Sequence, residues 1–368
     1  MLRQVRMLQR NFQVTAACFG IPSGLDVAFV KLPHVRLTLM RKMLLGALLQ
    51  MRIFPWAYSI FHPYKKFIRA RLQHRKFDLV VANDAETLPL AMNWKGAKIL
   101  FDAHEYAPLQ FEGSRRWKIF FSPFNTWLCK KYIPRTDRMI TVCAGVADEY
   151  EKNFGKRPTV ITNAAPFSDR PIRLPQENKI KLVHHGIANK FRGLTAMIEM
   201  TELLDDRFTL DMYLLLSLNA SQSAKQYLEE LKTKIQHNSR VRILPPVSNS
   251  ELIPVISQYD AGIFMPPPLS FNVANTLPNK LFDFIQARLA VAISPLKEMV
   301  RVTEKYNIGI IADDFSAQNM AAKLNGLTRE KLIEYKNNTA QAARELNAEK
   351  NEEIMSGVLN ELLYSNER

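Results

Sequence analysis

The 368-residue sequence has few cysteines: only Cys18, Cys129 and Cys143 are present. Their spacing matches no metal-ligand motif, and three thiols are too few for a disulfide framework, so a reducing cytoplasm is the expected compartment. Neither a GxxxxGKS/T nor a GxGxxG motif occurs. Their absence argues against ATPase and dinucleotide-binding functions.

Long apolar runs are lacking as well. Residues 1–19 form a basic, helical pattern without an apolar h-region or a plausible cleavage site, so no signal peptide is predicted. The longest apolar stretch, residues 43–61, is broken by Arg52 and Pro55 and falls short of the ~20 apolar residues that a membrane-spanning helix needs. We therefore expect no transmembrane helix.

Negative charge is scarce relative to positive charge. The 50 Lys+Arg exceed the 35 Asp+Glu, and the formal net charge is +15. This excess predicts attraction to an anionic partner, such as a phosphorylated substrate or a lipid surface. A nucleic acid is not expected, because the sequence has no basic patch interleaved with aromatic residues and no DNA-binding motif.

Basic residues frame an apolar stretch within residues 41–76, with Arg41 and Lys42 before it and Lys65, Lys66 and Arg69 after it. An apolar face beside clustered cations is typical of a helix that lies on an anionic bilayer, which predicts peripheral membrane association. The alternative is that the apolar residues pack inside the first domain. These residues are Leu44, Leu45, Leu48, Leu49, Ile53, Phe54 and Trp56.

Short apolar runs alternate with helical patterns, which predicts an α/β protein whose parallel sheets are covered on both faces. The predicted organisation is a first domain at residues 1–165, a second at 166–345 and a C-terminal helix at 346–368, with a Pro- and Arg-rich linker within 163–175. Strands are predicted at residues 12–19, 27–32, 77–82, 98–101, 137–143, 159–161, 180–184, 208–216, 241–244, 261–265, 289–294 and 308–312.

Residues 276–287, TLPNKLFDFIQA, predict a loop and helix that hold phosphate. Pro278 suits the first turn of a helix, and the apolar residues recur at helical spacing on a buried side. Lys280 and Asp283 are then expected near the exposed N-terminal end. There the helix N–H groups and Lys280 would bind a diphosphate, and Asp283 would accept hydrogen bonds from a ribose. The alternative is an ordinary helix with a solvated Lys and Asp.

This segment resembles the donor-binding motif of GT-B-fold glycosyltransferases, particularly glycosyltransferase family 4, in which LPNKLFEYI-A-G-P-V holds the nucleotide of a nucleotide-sugar. The resemblance implies donor-binding roles for Asn279, Lys280 and Asp283. Asp283 stands where the family usually has a glutamate that contacts ribose. The family's earlier glutamate is replaced by Asn275, so the paired-glutamate signature is half present.

A second stretch, HGIANKFRGL, connects a predicted strand to a predicted helix. It is similar to the family's H-G-x-x-x-x-(K/R)-G-(L/V) form, which implies phosphate binding by Gly186, Arg192 and Gly193. Glycines allow a close backbone approach, and a guanidinium fork suits phosphate oxygens. Ile187 replaces the family's usual upstream arginine, and Lys190 is expected to compensate.

Further segments resemble the family in its own order: DLVVANDAETLP, FDAHEY, ITVCAGVADEY and VITNA. The matches run from about residue 3 to about residue 325. The resemblance implies the GT-B architecture, in which two Rossmann-like parallel-sheet domains face each other across a cleft and the C-terminal helix crosses back to the first domain. Family members usually have a strand ahead of the helix in which this sequence begins, so the first strand is expected to be missing.

His104 follows an apolar run that should be a central strand, and it would lie at the carboxyl end, where α/β sheets bind ligands. By position it matches the family's histidine that contacts the transferred sugar. Histidine titrates near neutral pH and donates a hydrogen bond while neutral. Asp84, Glu86 and Glu105 are expected to bind acceptor hydroxyls nearby. The alternatives are a histidine that satisfies loop backbone groups and a solvated rim of carboxylates.

The expected activity is that of a cytoplasmic hexosyltransferase, in which His104, Arg192 and Lys280 act on transfer from a nucleotide-sugar to a lipid-linked or polysaccharide acceptor. Neither metal nor cofactor is expected, since Arg192, Lys280 and helix dipoles would stabilise the leaving diphosphate; the resemblance implies retention of configuration. Two alternatives remain: a sugar-nucleotide 2-epimerase of the same fold, and a non-catalytic glycosyltransferase-like binding subunit, which Asn275, Ile187 and the missing strand would favour.

Overall fold

The computed structural model describes residues 2–20, 24–217 and 220–364. The chain forms two compact units. Unit 1 comprises Met1–Thr141, Ala147–Val160 and Met355–Arg368, and unit 2 comprises Val142–Val146 and Ile161–Ile354. Residue 1 of the predicted first domain and residues 365–368 of the predicted C-terminal helix lie outside the described residues.

The described strands of unit 1 pair in parallel in two sheets. One sheet pairs β1 (Thr15–Cys18) with β2 (Ala28–Lys31). The other has the order β3-β4-β5-β6, formed by Leu79–Asn83, Lys98–Ala103, Arg138–Thr141 and Thr159–Val160. The helices that begin or end in this unit are α1 (Leu2–Leu8), α2 (Leu39–Gln50), α3 (Phe54–Phe61), α4 (Tyr64–Leu72), α5 (Leu88–Ala91), α6 (Arg115–Tyr132), α7 (Ala144–Phe154) and α16 (Ala348–Tyr364).

Unit 2 contains a parallel sheet with the order β12-β11-β10-β7-β8-β9 in its described residues. These strands are β7 (Ile180–Ile187), β8 (Phe208–Leu215), β9 (Val241–Leu244), β10 (Ala261–Phe264), β11 (Ala290–Ile293) and β12 (Gly309–Ile311). The helices are α8 (Leu194–Leu203), α9 (Gln222–Lys234), α10 (Asn249–Ile256), α11 (Phe271–Ala274), α12 (Asn279–Gln286), α13 (Lys297–Tyr306), α14 (Ala317–Asn325) and α15 (Arg329–Glu345).

The strand order of unit 2 reverses between β7 and β10. From β7 the chain proceeds to β8 and β9 on one side, and then returns to β10, β11 and β12 on the other. In open parallel sheets, ligands bind at the carboxyl ends of the strands at such a reversal. β10 is apolar and buried, and β7 is mostly buried although it carries Lys181, His184 and His185. Such burial is expected for a sheet covered on both faces.

Most predicted elements occur within a few residues of their predicted bounds. Two elements differ from their predicted bounds. The strand predicted at 12–19 is shorter, Thr15–Cys18. Residues 86–92, whose pattern predicts a helix, instead begin within a 3-10 turn, Ala85–Thr87, which is followed by α5. Asp84, at the start of that turn, has φ 65° and ψ 155°, a conformation that few residues other than glycine adopt.

The predicted membrane-facing stretch divides into two sets of residues. Leu45, Leu48, Leu49 and Phe54 are buried in unit 1, so the prediction that they face a bilayer is wrong. Leu44, Ile53 and Trp56 are exposed, Trp56 to 72%. Within the part of the chain that the structure describes, no helix is both long enough and apolar enough to span a membrane.

Candidate active site

The carboxyl ends of β7 and β10 meet helix α12 at the strand reversal of unit 2. The prediction that Pro278 lies in the first turn of α12 is wrong, because Pro278 is the N-cap residue and the helix begins at Asn279. The apolar side of α12 is buried as predicted. Its buried apolar residues include Leu281, Phe282 and Ile285.

The sequence predicted that Lys280 lies at an exposed helix end. In the structure Lys280 is buried, with 6% of its surface accessible. Its Nζ lies 3.9 Å from the centroid of the Phe264 ring at the end of β10. Such a contact attracts a cation to the electron-rich face of the ring but supplies no negative charge. The side chain is therefore held by packing against β10, which the sequence pattern did not reveal.

Two basic side chains, Lys280 and Arg192, lie close together at this point. Burial and then the nearby Arg192 lower the pKa of Lys280 well below its ordinary value, and Asp283 only partly opposes this. Burial also lowers the pKa of Arg192, which is half-buried. An anion bound here would favour the protonated form of both groups and offset the cost of their burial.

Two glycines make room for this cluster. Gly193 has φ 70°, and a Cβ there would collide with the carbonyl oxygen of Met265, so the loop after β7 closes onto the end of β10 only without a side chain. Gly186 has φ 131°, and a Cβ there would lie 3.4 Å from Lys280 Nζ. Both glycines predicted for donor binding therefore have a steric reason to be glycine.

Two adjacent histidines at the end of β7 contribute neutral polar atoms. Burial and then Lys280 lower the pKa of His185 to about 3, and the same causes lower the pKa of His184 well below its ordinary value. His184 Nδ1 lies 2.9 Å from the carbonyl oxygen of Ile263. The Nε2 atoms of both rings are buried and have no hydrogen-bond partner in the described residues. His185 Nε2 lies 3.5 Å from Oδ2 of Asp283.

The remaining predicted donor residues lie in different surroundings. Asp283 is mostly buried beside His185, whereas Asn279 is exposed at the first position of α12. Lys190 is exposed; its Nζ lies 3.5 Å from Glu230 and 5.3 Å from the Tyr227 ring centroid. It is thus paired with α9 and does not replace the missing upstream arginine. Asn275 is buried as the C-cap of α11 and donates to the Phe271 carbonyl oxygen at 2.9 Å.

In unit 1, His104 lies at the carboxyl end of β4 between two carboxylates. Its Nδ1 is 3.2 Å from Asp84 Oδ1 and its Nε2 is 3.4 Å from Asp102 Oδ2. Hydrogen bonds to Asp102 and then to Asp84 raise the pKa of His104 to about 10 despite partial burial. The ring is therefore a cation at neutral pH, which differs from the expected histidine that titrates near pH 7.

The other acceptor-side candidates adjoin this group. Burial and then Asp84 raise the pKa of Glu86 to about 7. The pKa of Glu105 is also raised, again by burial and then by Asp84, while His104 opposes the shift. Shared interactions with Asp84 therefore join Glu86 and Glu105 to His104, as the sequence predicted.

Sequence reasoning missed Asp102 and the pair His184 and His185 as members of these clusters. Asp102 precedes His104 by two residues, so both side chains lie on the same side of the chain end, and strand alternation was the signal that could have identified it. His185 begins the HGIANKFRGL stretch and His184 directly precedes it, but their neutral state depends on burial that the sequence does not display.

No group of three or more His, Cys, Asp or Glu side chains within residues 2–20, 24–217 and 220–364 is placed to hold a metal ion. The sequence also has two pairs of adjacent aspartates, Asp205–Asp206 and Asp313–Asp314. One member of each pair contacts a basic side chain nearby. Asp205 hydrogen-bonds to Arg207, with Nη2 to Oδ2 at 2.8 Å, and Asp313 Oδ1 lies 2.8 Å from Lys323 Nζ.

Comparisons with known proteins bear on the family and the fold. Residues 3–166 match the sequence model of the family described as Glycosyltransferase Family 4. A comparison with curated protein sequences finds no match. The family match lies in the region that carries β1 to β6 and His104, so its support is independent of the donor-site motif.

Solved structures share the fold at low sequence identity. Anabaena HepE in complex with UDP and glucose matches with a TM-score of 0.67 and 12% identity, over 98% of this chain and 95% of that chain. A glycosyltransferase from Rickettsia africae matches with a TM-score of 0.63 and 12% identity, over 92% of this chain and 86% of that chain. A point mutant of S. aureus TarM in complex with fondaparinux, alpha-GlcNAc-glycerol and UDP matches at 0.62 and 13%, over 82% of this chain and 58% of that chain. This chain therefore spans little more than half the length of TarM.

The fold is α/β of the GT-B class, with Rossmann-like parallel-sheet domains, as predicted. The predicted resemblance to family 4 glycosyltransferases is also confirmed. Together the family match and the fold support a glycosyltransferase-type function.

Proposed function

We propose that this protein transfers a hexosyl group from a nucleotide-sugar to a lipid-linked or polysaccharide acceptor. The observation that supports this most is the pair of basic side chains, buried Lys280 and half-buried Arg192, at the strand reversal of unit 2, where Asp283 offsets only part of the cost of burying Lys280. A nucleoside diphosphate supplies the missing negative charge, and α12 adds N–H groups at its N-terminus. Asp283 is the proposed ligand of the ribose.

The donor is proposed to be a UDP-sugar, because HepE and TarM have been solved with UDP. As the bond to the sugar breaks, negative charge grows on the departing diphosphate. With the donor bound, the diphosphate favours protonated Lys280, and Lys280 and Arg192 then stabilise the growing charge in a site of low dielectric. The reaction therefore proceeds without a metal or cofactor, and with retention of configuration as the family resemblance implies.

His104 is the proposed contact with the transferred sugar. Its two ring nitrogens face Asp84 and Asp102, and the side chain is one-third exposed, so a sugar hydroxyl can reach the imidazolium and share one of these hydrogens. Asp84, Glu86 and Glu105 provide hydrogen-bond acceptors for acceptor hydroxyls. These roles are proposals that rest on the arrangement within unit 1.

Peripheral membrane association is part of the proposal, with an anionic cytoplasmic leaflet as the surface. Helices α2 and α3 expose a group of large apolar side chains, and Met40 is 81% exposed. Exposed Arg41, Lys42 and Arg52 lie in the same segment. Apolar side chains that enter the interface and cations that bind anionic headgroups act together. The exposed apolar side chains are Leu39, Met40, Met43, Leu44, Met51, Ile53 and Trp56.

Product analysis tests the function. The purified protein is incubated with a panel of nucleotide-sugars, with and without a lipid extract, and the products are separated. Release of nucleoside diphosphate that requires the extract, together with a glycosylated product, is the expected result. Formation of an epimeric nucleotide-sugar without acceptor, or binding without any turnover, would contradict the proposal and favour one of the two alternatives.

A further inference from the structure

A buried histidine next to the acceptor-side carboxylates has no role in the function proposed so far. His62 follows α3 and is only 3% exposed. Its Nδ1 lies 2.8 Å from the hydroxyl of Tyr64. Its Nε2 has no hydrogen-bond partner in the part of the chain that is described, and it lies 3.7 Å from Oε2 of Glu86. An unpartnered buried nitrogen is therefore aimed at a carboxyl of the proposed site.

His62 is neutral and is paired with Tyr64 through Nδ1. Burial and then Lys65 lower the pKa of His62 to about 4, so the ring carries no charge at physiological pH. Burial raises the pKa of Tyr64 to about 12, so its phenol keeps a proton that it can donate to Nδ1. A neutral imidazole that accepts at Nδ1 carries its hydrogen at Nε2. In that tautomer the hydrogen is on the nitrogen that lies nearest Glu86.

Glu86 is anchored through its main chain and partly open through its side chain. The Tyr58 hydroxyl donates to its backbone carbonyl oxygen at 3.0 Å, which holds the 3-10 turn against α3. The side chain remains 36% exposed. Its carboxyl therefore has one side toward His62 and another toward solvent, where a ligand can bind.

We propose that His62 is a positioning residue that donates its Nε2–H to Glu86, and that Glu86 held in this way binds an uncharged hydroxyl of the acceptor sugar. The 3.7 Å separation is longer than a hydrogen bond, and such contacts commonly tighten when a ligand binds. This inference rests on the glycosyltransferase function proposed above and specifies the acceptor group that its site takes.

The charges beside Glu86 disfavour an anionic group at this position. Asp84 and Asp102 flank the His104 cation, Glu105 adds a further carboxylate, and Lys65, which acts on His62, is a second cation nearby. A phosphate would meet more negative than positive charge here, and like charges at short range are unfavourable. Hydroxyl groups avoid this cost and donate hydrogen bonds to carboxylates. A phosphate on a lipid-linked acceptor would have to bind away from this cluster.

The first experiment follows the Glu86 carboxyl by carbon-13 NMR in the full-length protein without ligand. A donated hydrogen bond favours the ionised carboxylate, so His62→Phe should raise the pKa of Glu86, by about tenfold in the dissociation constant. Tyr64→Phe should act in the same direction. Tyr58→Phe is the matched control, because its hydroxyl bonds to the main chain of Glu86, and it should leave the titration in place. An unchanged Glu86 titration in His62→Phe overturns the positioning role.

The second experiment measures the binding of methyl α-glucoside, a neutral probe, against glucose 1-phosphate. Glu86→Gln and His62→Phe should each weaken binding of the neutral probe several-fold. The double variant should be no weaker than Glu86→Gln alone, because His62 acts through Glu86. Additive losses, absence of methyl α-glucoside binding to the unaltered protein, or tighter binding of glucose 1-phosphate while excess UDP occupies the donor site overturn the inference.

Binding of UDP to the same proteins separates the two proposals. If UDP binds but the sugar probes behave as in the overturning outcomes, the inference fails and the glycosyltransferase function stands. If the unaltered protein does not bind UDP, the proposed function itself fails.

Discussion

The strand ends of the two units place histidines in opposite charge states. In unit 1, His104 lies between Asp84 and Asp102, and these carboxylates raise its pKa to about 10. In unit 2, burial and Lys280 lower the pKa of His185 to about 3. The same residue type is a cation where carboxylates surround it and a neutral group where cations do. The surroundings, and not the histidine, decide what each site attracts.

This contrast matches the two substrates of a transferase. The unit 2 cluster has two basic groups whose burial Asp283 offsets only in part, and it suits a diphosphate, whereas the unit 1 cluster has more carboxylates than cations and suits hydroxyl groups. If the contrast governs function, variants in unit 2 should affect the donor and variants in unit 1 the acceptor or the transferred sugar.

The largest effect is expected from the cations of unit 2. Lys280→Met or Arg192→Ala should each cost about 2–4 kcal/mol of transition-state stabilisation in kcat/KM for the nucleotide-sugar. Lys190→Met is the matched control, because Lys190 is paired with Glu230, and it should change kcat/KM far less. Near-normal turnover in both site variants, with the fold intact by circular dichroism, would exclude this site.

The second effect is expected at His104. His104→Ala should lower kcat by about tenfold or more, while the affinity for the nucleoside diphosphate stays within about twofold, because the proposed nucleotide ligands belong to unit 2. Steady-state kinetics and UDP titration measure the two quantities. A parallel loss of UDP affinity would contradict the proposal that unit 2 binds the nucleotide while His104 of unit 1 contacts the transferred sugar.

The third effect concerns membrane binding through the segment of α2 to α4. Each cation near an anionic surface contributes about 1 kcal/mol before screening by salt. Replacing Lys65, Lys66 and Arg69 by Glu should therefore release the protein from anionic vesicles in a co-sedimentation assay, and Trp56→Ser should weaken binding through the apolar term. Equal binding to zwitterionic vesicles, or insensitivity to salt, would contradict the interfacial role.

The fourth effect is a change in the titration of His104. Since the hydrogen bond to Asp102 is the largest cause of its raised pKa, Asp102→Asn should lower that pKa more than Asp84→Asn does. A raised folded-state pKa contributes stability below the unfolded value of about 6.5, and this contribution is lost as pH rises toward 10. Imidazole NMR and unfolding curves measure both. If His104 titrates near 6.5 in the unaltered protein, the claim that its ring is a cation at neutral pH is contradicted.

Much of the fold could be predicted because its signals are local. Short apolar runs indicated the strands of both sheets, and the resemblance identified Gly186, Gly193 and Arg192, which the structure gathers at the strand reversal. Gly193 is an example. Its positive φ and its close approach to the Met265 carbonyl oxygen require glycine, so the structural requirement is reflected in the residue type at a single position of the motif.

The charge states could not be predicted, because they depend on burial and on contacts that the sequence pattern does not display. Lys280, on α12, is buried with its ammonium group against the ring of Phe264 on β10. His104 is a cation because it hydrogen-bonds to Asp102 and also to Asp84, which reaches it from the end of β3. His62 lies beside Glu86 only after α3 has packed on the 3-10 turn. Helical spacing alone predicted that Lys280 and Asp283 both lie at an exposed helix end. It could not show that Lys280 packs against Phe264 while Asp283 lies beside His185.

Calorimetric titration of UDP into the full-length protein, in two buffers of different ionisation enthalpy, tests the central claim most directly. Because the pKa of Lys280 is depressed when the site is empty and a diphosphate favours the protonated form, binding should take up a proton, and affinity should fall as pH rises. Lys280→Met should weaken binding and abolish the proton uptake. Failure of UDP to bind, or binding that is equally tight in Lys280→Met, would contradict the assignment of the buried cations of unit 2 to the donor diphosphate.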